Sequence, residues 1–229
     1  MSLDTIFFDV GNTLVFPNPQ ETLAPLLTLG IVPTVQQFDR AERAAKRSLD
    51  EFYSRPRQAD TDYNYWDAYY VHLLAELKVS NDELKRDLMA RARTSANWDS
   101  VRPNTADVLR ELRRKYRLAV ISNADGRIVQ LLERLGLAEF FETITDSGSV
   151  GYEKPDPRIF RTAISSSDAE PSRSMHVGDI YSVDYLGAVN VGMRALLLDR
   201  AGVYESDGYP RVDALEKIPG LLLWQDQPL

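Results

Sequence analysis

Residues 5–15, with the sequence TIFFDVGNTLV, constrain the fold more than any other stretch of this chain. Four residues with β-forming or apolar side chains precede Asp9, and turn-forming residues follow it at once. Such a run is typical of a buried strand, although the run alone does not exclude a helix. In a parallel sheet, Asp9 would lie at the carboxyl end of its strand, where open α/β sheets bind ligands. Asp9 either serves a ligand or simply begins a turn, and this stretch by itself favours neither interpretation.

From Val101 onward, apolar runs with strand character alternate with segments of helical spacing. Asp156-Pro157 is a typical helix start, and Asp125 is expected to cap the helix that contains Ile128. The alternation predicts an α/β fold, namely a Rossmann-like parallel sheet with helices on both faces. The tail from Asp213 is expected to add a final helix and a short strand. The predicted strands after the first are residues 118–121, 142–145, 174–177 and 194–198.

Residues 17–97 differ in character from the sequence on either side of them. Apolar residues recur there at helical spacing in three stretches, and the third begins with a Ser-Asn-Asp-Glu capping box at residues 80–83. The segment Phe16-Pro17-Asn18-Pro19 is expected to interrupt regular structure, because its prolines have no backbone donor. We therefore predict an α/β core domain of residues 1–16 and 98–229, and an all-helical cap domain of residues 17–97.

The composition excludes several classes of function. The 229 residues carry a net charge of −7, with a pI near 5.0, which argues against a nucleic-acid partner or an anionic membrane. Cysteine is absent, so thiolate zinc sites and cysteine nucleophiles are excluded, and the only histidines are His72 and His176. We expect both histidines to be packing or surface residues. No long apolar run or secretory leader pattern occurs, so a cytoplasmic protein is expected.

Three predicted strands end in polar residues that suit a common site: Asp9, then Ser122 and Asn123, then Asp179. Parallel strands bring these ends to one edge of the sheet. Two neighbouring carboxylates repel each other unless a cation lies between them, and Mg²⁺ accepts carboxylate and carbonyl oxygens. Lys154, in a loop between the second and third of these strands, adds a positive charge. The pattern predicts a pocket for a metal-bound phosphoryl group.

The order of these residues resembles the haloacid dehalogenase-like (HAD) superfamily over nearly the whole chain. Each motif alone is weak, but all four occur in order at strand ends, with a helical insertion after the first. They are matched by Asp9 and Thr13 in FFDVGNTLV, Ser122 in LAVISNAD, Lys154 in GYEKPDPRIF, and Gly178, Asp179 and Asp184 in HVGDIYSVDYLGA.

The resemblance implies a role for each matched residue. Asp9 would be the nucleophile that forms an aspartyl-phosphate, and Lys154 would offset its charge and hold phosphoryl oxygens. Mg²⁺ would be bound by Asp9, the carbonyl of Gly11 and Asp179, with Asp184 acting directly or through other ligands. The remaining implied substrate-binding residues are Asn12, Thr13, Ser122 and Asn123. The expected partner is a small phosphorylated molecule, and the expected oligomeric state is a monomer or homodimer.

Gly11 departs from the phosphatase pattern, in which an aspartate at this position protonates the leaving group. Loss of such an acid typically costs on the order of 10²–10⁴ in rate. The alternatives are a 2-haloacid dehalogenase-like hydrolase, a phosphatase whose substrate has a good leaving group, such as an acyl phosphate, and a catalytically weak phosphate-binding or regulatory protein. A substitute acid from the cap or from Asp125 is a further option. Asp179 belongs to a motif that implies a metal ligand, which a dehalogenase does not need, so Asp179 argues against the dehalogenase.

An aromatic cluster lies in the predicted cap. Its residues recur at helical spacing, which is more typical of a core than of a substrate pocket, and both interpretations stay open. The cluster consists of Tyr63, Tyr65, Trp66, Tyr69 and Tyr70.

Overall fold

The computed structural model of the protein describes residues 2–54 and 65–225. Its centre is a six-stranded sheet in which every neighbouring pair is parallel, in the order β5-β4-β1-β6-β7-β8. The strands are β1 (Thr5–Phe8), β4 (Arg117–Ser122), β5 (Thr143–Asp146), β6 (Ser174–Gly178), β7 (Arg194–Leu198) and β8 (Arg211–Val212). The remaining strands, β2 (Val15–Pro17) and β3 (Trp98–Val101), form a separate antiparallel pair.

Helices cover both faces of the sheet, because successive side chains of a strand point to opposite faces. Ile6 and Phe8 of β1 pack in one apolar cluster with the first group of helices, whereas Phe7 packs in a second cluster with the other group. The first group is α6 (Thr105–Arg113), α7 (Ile128–Arg134) and α11 (Ile218–Gln225). The second group is α9 (Pro157–Ser166) and α10 (Leu186–Val189), and the short α8 (Ser147–Val150) follows β5. The predicted α/β fold with helices on both faces is confirmed.

Between β2 and β3 the described chain is helical and has its own apolar cluster, which includes Leu26, Tyr70, Leu73 and Leu88. We call these helices the cap. They are α1 (Pro19–Thr22), α2 (Ala24–Thr28), α3 (Val35–Ser54), α4 (Tyr65–Glu76) and α5 (Asp82–Ala92). The helical cap is therefore confirmed, while the domain limits at 16/17 and 97/98 stay a prediction.

The structure corrects the expectation of a break at residues 16–19. Phe16 and Pro17 belong to β2, where the register shifts between them, and a proline is tolerated at such an irregular strand end. Asn18 then accepts a hydrogen bond from Gln20 N, and Pro19 is the first residue of α1. Pro17 thus ends the strand and Pro19 begins the helix.

Two smaller expectations are also wrong in detail. Helix α5 is capped by Asn81, whose side chain accepts from Leu84 N, so the cap residue lies one position after Ser80. In the tail, the short strand β8 comes before Asp213 and the helix α11 after it. Within residues 2–54 and 65–225, none of the helices has the length and apolar character needed to cross a bilayer.

Candidate active site

The register of the sheet brings the predicted strand ends together. Phe8 pairs with Val120 of β4 on one side and with Val177 of β6 on the other, so Asp9 lies between the ends of both strands. Asp9 N donates to Val177 O at 2.8 Å. The Asp9 carboxylate also accepts a hydrogen bond at 3.2 Å from Thr13 Oγ1, so Thr13 contacts the proposed nucleophile.

Lys154 lies at the centre of the buried charges. Its Nζ is 2.6 Å from Asp9 Oδ1 and 2.7 Å from Asp184 Oδ1, and all three side chains are buried. Burial alone lowers the pKa of Lys154, but the two carboxylates more than offset this, and the pKa lies above its ordinary value. Lys154 is therefore a permanent cation beside Asp9.

Asn123 positions the loop that carries Lys154. Its side-chain amide donates to Lys154 O at 2.9 Å, and its Oδ1 accepts from Lys154 N at 2.7 Å. The amide oxygen and one N–H of the Asn123 side chain are thus used within the protein. Its second N–H and its backbone are left for a substrate.

Both carboxylate oxygens of Asp184 contact donors within the protein. Oδ1 contacts Lys154 and lies 3.1 Å from His176 Nε2, and Oδ2 accepts from Ile180 N at 3.0 Å. Although burial raises its pKa, Lys154 and His176 hold the pKa of Asp184 well below its usual range. A Cβ on Gly178 would lie 2.3 Å from Asp184 Cγ, so the Gly-Asp motif needs glycine to admit this carboxylate.

His176 lies beside Asp184 among the buried charged residues, a position that the sequence did not reveal. It is fully enclosed, and burial lowers its pKa, so the ring is neutral near pH 7. The expectation of a core residue within a strand is right about its place in β6, but its Nε2 faces a carboxylate.

Lys46 of α3 is a site residue that the sequence reasoning missed. Its side chain is 1% exposed, and Nζ lies 2.9 Å from Asp179 Oδ2 and 2.8 Å from Glu42 Oε1. Burial alone lowers the pKa of Lys46, yet Asp179 and Glu42 raise it above its ordinary value. The available signal was weak: a Glu–Lys pair four residues apart, directly beside the apolar positions Ala45 and Leu49.

Lysine side chains do not fully compensate the burial of two carboxylates of the site. Burial raises the pKa of Asp9, with Lys154 opposing the shift, and it raises the pKa of Asp179 to about 7 despite Lys46. Burial disfavours the charged form of an acid, so a bound cation would relieve both groups. The chemistry of this donor set therefore suits a divalent metal.

The metal donors available are few. Asp9, Asp179 and the Gly11 carbonyl offer oxygen donors of the kind that Mg²⁺ accepts, and Mg²⁺ usually keeps several waters. Among the residues that the structure describes, no group of three His, Asp or Glu side chains is arranged to hold a metal ion. Asp184 fits an indirect role, since protein donors contact both of its oxygens.

The predicted residues line a common cavity of about 940 Å³. Thr13 lies outside its lining and acts through Asp9. Tyr65 and Trp66 of the aromatic cluster line the cavity, whereas Tyr70 packs in the cap core and Tyr63 lies outside the described residues. The predicted site residues in the lining are Asp9, Gly11, Asn12, Ser122, Asn123, Lys154, Asp179 and Asp184.

Gly11 faces an aromatic ring. A Cβ at this position would lie 3.4 Å from the Trp98 ring, and the indole is held by a 2.7 Å hydrogen bond from its Nε1 to Ala92 O. The space beside Gly11 is therefore bounded by Trp98, at the point where the chain returns from the cap.

Asp125 does not cap α7, contrary to expectation. The residue before α7 is Arg127, which makes no side-chain capping bond. The Asp125 carboxylate instead accepts from Ser95 N at 3.0 Å and from Ser95 Oγ at 2.5 Å. Burial raises its pKa, but these hydrogen bonds lower it below its usual value, so Asp125 is a poor proton donor.

A model of the haloacid dehalogenase-like hydrolase family matches residues 3–192. Because this match covers most of the chain, the protein belongs to that family. The resemblance inferred from the four motifs is thereby confirmed.

Two relatives in the family are similar to part of this chain. Haloacid dehalogenase-like hydrolase domain-containing protein 3 of Homo sapiens is 48% identical over 93 residues, which are 40% of this chain and 37% of that protein. Glyceraldehyde 3-phosphate phosphatase of Methanothermobacter thermautotrophicus is 44% identical over 101 residues, 42% of this chain and 44% of that protein. The chain thus spans less than half the length of these two relatives.

Solved structures match over nearly the full chain. The magnesium-bound HAD-hydrolase YfnB of Bacillus subtilis has a TM-score of 0.68 at 17% identity, with 97% of this chain and 99% of that chain covered. The 2-haloacid dehalogenase of Pseudomonas syringae pv. Tomato DC3000 has a TM-score of 0.59 at 26% identity, with the same coverage. The first likeness establishes the fold alone.

Proposed function

We propose that this protein is a Mg²⁺-dependent phosphatase that acts on a small phosphorylated metabolite through Asp9. The observation that carries the proposal is the position of Lys154, 2.6 Å from Asp9, inside a cavity also lined by Ser122 and Asp179. A lysine held there places a positive charge where a phosphoryl group bound to Asp9 would carry negative charge.

The proposed reaction has two steps. An oxygen of Asp9 attacks phosphorus, the bond from phosphorus to the leaving oxygen breaks, and an aspartyl-phosphate forms. Water then attacks phosphorus, which releases phosphate and restores the carboxylate. Lys154 and Ser122 bind the phosphoryl oxygens through both steps, and Thr13 orients Asp9.

Mg²⁺ would be held by Asp9, Asp179 and the carbonyl of Gly11, and would supply charge neutralisation for the phosphoryl oxygens. Asp184 would orient Lys154 and the Ile180 backbone beside it. Asp9 and Asp179 support a bound metal, because burial raises the pKa of both carboxyl groups and a nearby cation would lower it.

The leaving group limits the substrate. Gly11 has no carboxylate to protonate it, and Asp125 is engaged by Ser95. We therefore infer a substrate whose leaving group departs without a strong acid, such as an acyl phosphate, ahead of a simple alkyl phosphate.

A 2-haloacid dehalogenase is the second candidate. It is favoured by Gly11, since displacement of halide needs no acid, and by the likeness to the Pseudomonas syringae dehalogenase. The cluster of Asp179 and Asp184 with two lysines favours the phosphatase, because halide displacement by Asp9 has no use for a divalent metal.

The test is a screen of acyl phosphates, phosphoesters and 2-haloacids, each with Mg²⁺ and with EDTA. We expect phosphate release that needs Mg²⁺ and falls by roughly 10⁴-fold in Asp9→Asn. Asp107→Asn is the matched control, since this carboxylate is exposed on α6, and it should keep full activity. Halide release that persists in EDTA would instead establish the dehalogenase.

A further inference from the structure

Among the described residues of the cap, Lys46 forms an ion pair with a proposed metal ligand. It lies on α3, and its Nζ is 2.9 Å from Asp179 Oδ2. Lys46 is fully buried and is not among the residues that line the cavity, so it acts on the site only through Asp179.

We propose that Lys46 is a positioning residue that neutralises Asp179 in the metal-free protein and competes with the divalent cation for this carboxylate. The inference rests on the proposed Mg²⁺-dependent function. It assigns to the cap a direct influence on metal affinity, in addition to covering the cavity.

The charges at the site support an exchange of partners. Four carboxylates, those of Asp9, Asp179, Asp184 and Glu42, face only two lysines, Lys46 and Lys154. When all four carboxylates are ionised, a single divalent cation would balance the excess of two negative charges. Two cations on one carboxylate repel each other, most strongly where water is excluded. Metal binding at Asp179 therefore weakens its pair with Lys46.

Glu42 gives Lys46 a partner after that exchange. It lies one turn earlier on α3, 2.8 Å from Lys46 Nζ, so the two side chains stay together whether or not Lys46 is paired with Asp179. A buried ammonium left without a partner would be costly, and Glu42 removes most of that cost. Lys46 can thus release Asp179 without losing every carboxylate.

Two other polar contacts of α3 are made to residues other than the proposed metal ligands. Arg47 Nη1 lies 2.7 Å from Asp207, and Asp50 Oδ1 accepts from Ser182 N at 3.0 Å. These contacts keep α3 on the core while Lys46 changes partner. Because coupling is reciprocal, Mg²⁺ weakens the docking of α3 near Lys46 by the factor with which Lys46 weakens Mg²⁺ binding.

The experiment is a titration of the metal-free full chain with MgCl₂ by isothermal calorimetry. We expect Lys46→Met to bind Mg²⁺ about 10-fold more tightly than the wild type. Glu42→Gln should bind several-fold more weakly, because Lys46 then has Asp179 as its sole recorded carboxylate partner. Arg47→Gln loosens the same helix away from the metal site and should leave the affinity unchanged.

The outcomes separate this inference from the proposed function. Mg²⁺ binding by the wild type with unchanged or weaker binding by Lys46→Met overturns the role of Lys46 and leaves the metal-dependent function intact. Equal tightening in Arg47→Gln also overturns it, since loosening of the cap would then be the cause. If neither the wild type nor Lys46→Met binds Mg²⁺, both proposals fall. Should Lys46→Met fail to fold, weaker binding by Glu42→Gln supports the inference, and unchanged or tighter binding overturns it.

Discussion

Gly11 lies two residues after Asp9 in the chain. A Cβ atom added at Gly11 would be in van der Waals contact with the ring of Trp98. The sequence shows that position 11 lacks a carboxylate, but it does not show that Trp98 lies beside this position. Since a Cβ at 3.4 Å is tolerated, a short side chain can enter with a small displacement of its neighbour. Asp125, the nearby substitute considered from sequence, is committed to Ser95.

Gly11→Asp should increase the hydrolysis of alkyl phosphates, because it adds a proton donor near the leaving group. The expected gain is on the order of 10²-fold in kcat for alkyl phosphates, with little change for acyl phosphates. Phosphate release from both substrate classes measures the effect.

Gly11→Asn is the matched control for this change, since it has the same size and no titratable proton. An equal gain in both variants would show that packing against Trp98, rather than acid catalysis, was limiting. No gain in either would contradict the idea that an absent acid slows alkyl phosphate hydrolysis.

At the scale of elements, the end of β4 and the loop that carries Lys154 are joined by Asn123. The amide makes two hydrogen bonds to the backbone of Lys154, at 2.7 and 2.9 Å. A Ser-Asn pair at a strand end predicts a polar site in general terms. The sequence does not show that the side chain of Asn123 contacts the loop of Lys154, because this loop lies about 30 residues further along the chain.

Asn123→Ala should lower the free energy of unfolding by about 1–3 kcal/mol, because both backbone groups of Lys154 lose their partner. The loop then no longer holds Nζ beside Asp9, so kcat should fall as well. Urea unfolding and phosphate release measure the two effects.

Asn123→Asp tests the donor to Lys154 O separately, since it retains the acceptor for Lys154 N. It sets a carboxylate oxygen against Lys154 O, and two oxygens repel each other, so this variant should also be less stable than the wild type. Wild-type stability in Asn123→Ala would show that these hydrogen bonds do not fix the loop.

For the whole molecule, the buried charges lie where the cap meets the sheet. Lys154 reaches them from a core loop and Lys46 from α3 of the cap. Buried ion pairs repay their desolvation only when geometry and charge balance are good. Here burial raises the pKa of Asp179 from an ordinary value of 3.8 to about 7, so the metal-free site is not fully compensated.

The stability of the metal-free protein should therefore fall as the pH rises. Between 3.8 and about 7 the folded state keeps a proton on Asp179 that the unfolded state releases. The stability that this group contributes is complete below the lower value and is lost as the pH rises through the upper one. The melting temperature in EDTA should drop between about pH 4 and about pH 7, and less so in Asp179→Asn.

Mg²⁺ provides a second arm of this experiment. A ligand that binds only the folded state stabilises it by mass action, so Mg²⁺ should raise the melting temperature more at the higher pH, where Asp179 is ionised. Identical pH profiles for the wild type and Asp179→Asn would contradict the role given to this carboxylate.

The sequence by itself determined the α/β alternation, the helical nature of the cap and the placement of the motif residues at one edge of the sheet. These follow from patterns with a period of two or 3.6 residues, and from the rule that parallel strands align their carboxyl ends. Asp9 and Asp179 could therefore be placed at this edge without coordinates, whereas the role of Lys154 was implied by the resemblance to the HAD superfamily.

Only the tertiary structure decided which charges meet. Lys46 looks like a solvated helix residue in the sequence, and Trp98 looks like an apolar strand residue, yet one contacts Asp179 and the other lies beside Gly11. Asp125 has the local signature of a helix cap, but Ser95 offers it two donors from across the chain. Contacts between residues far apart in the chain leave no periodic trace, because packing of the cap on the sheet creates them.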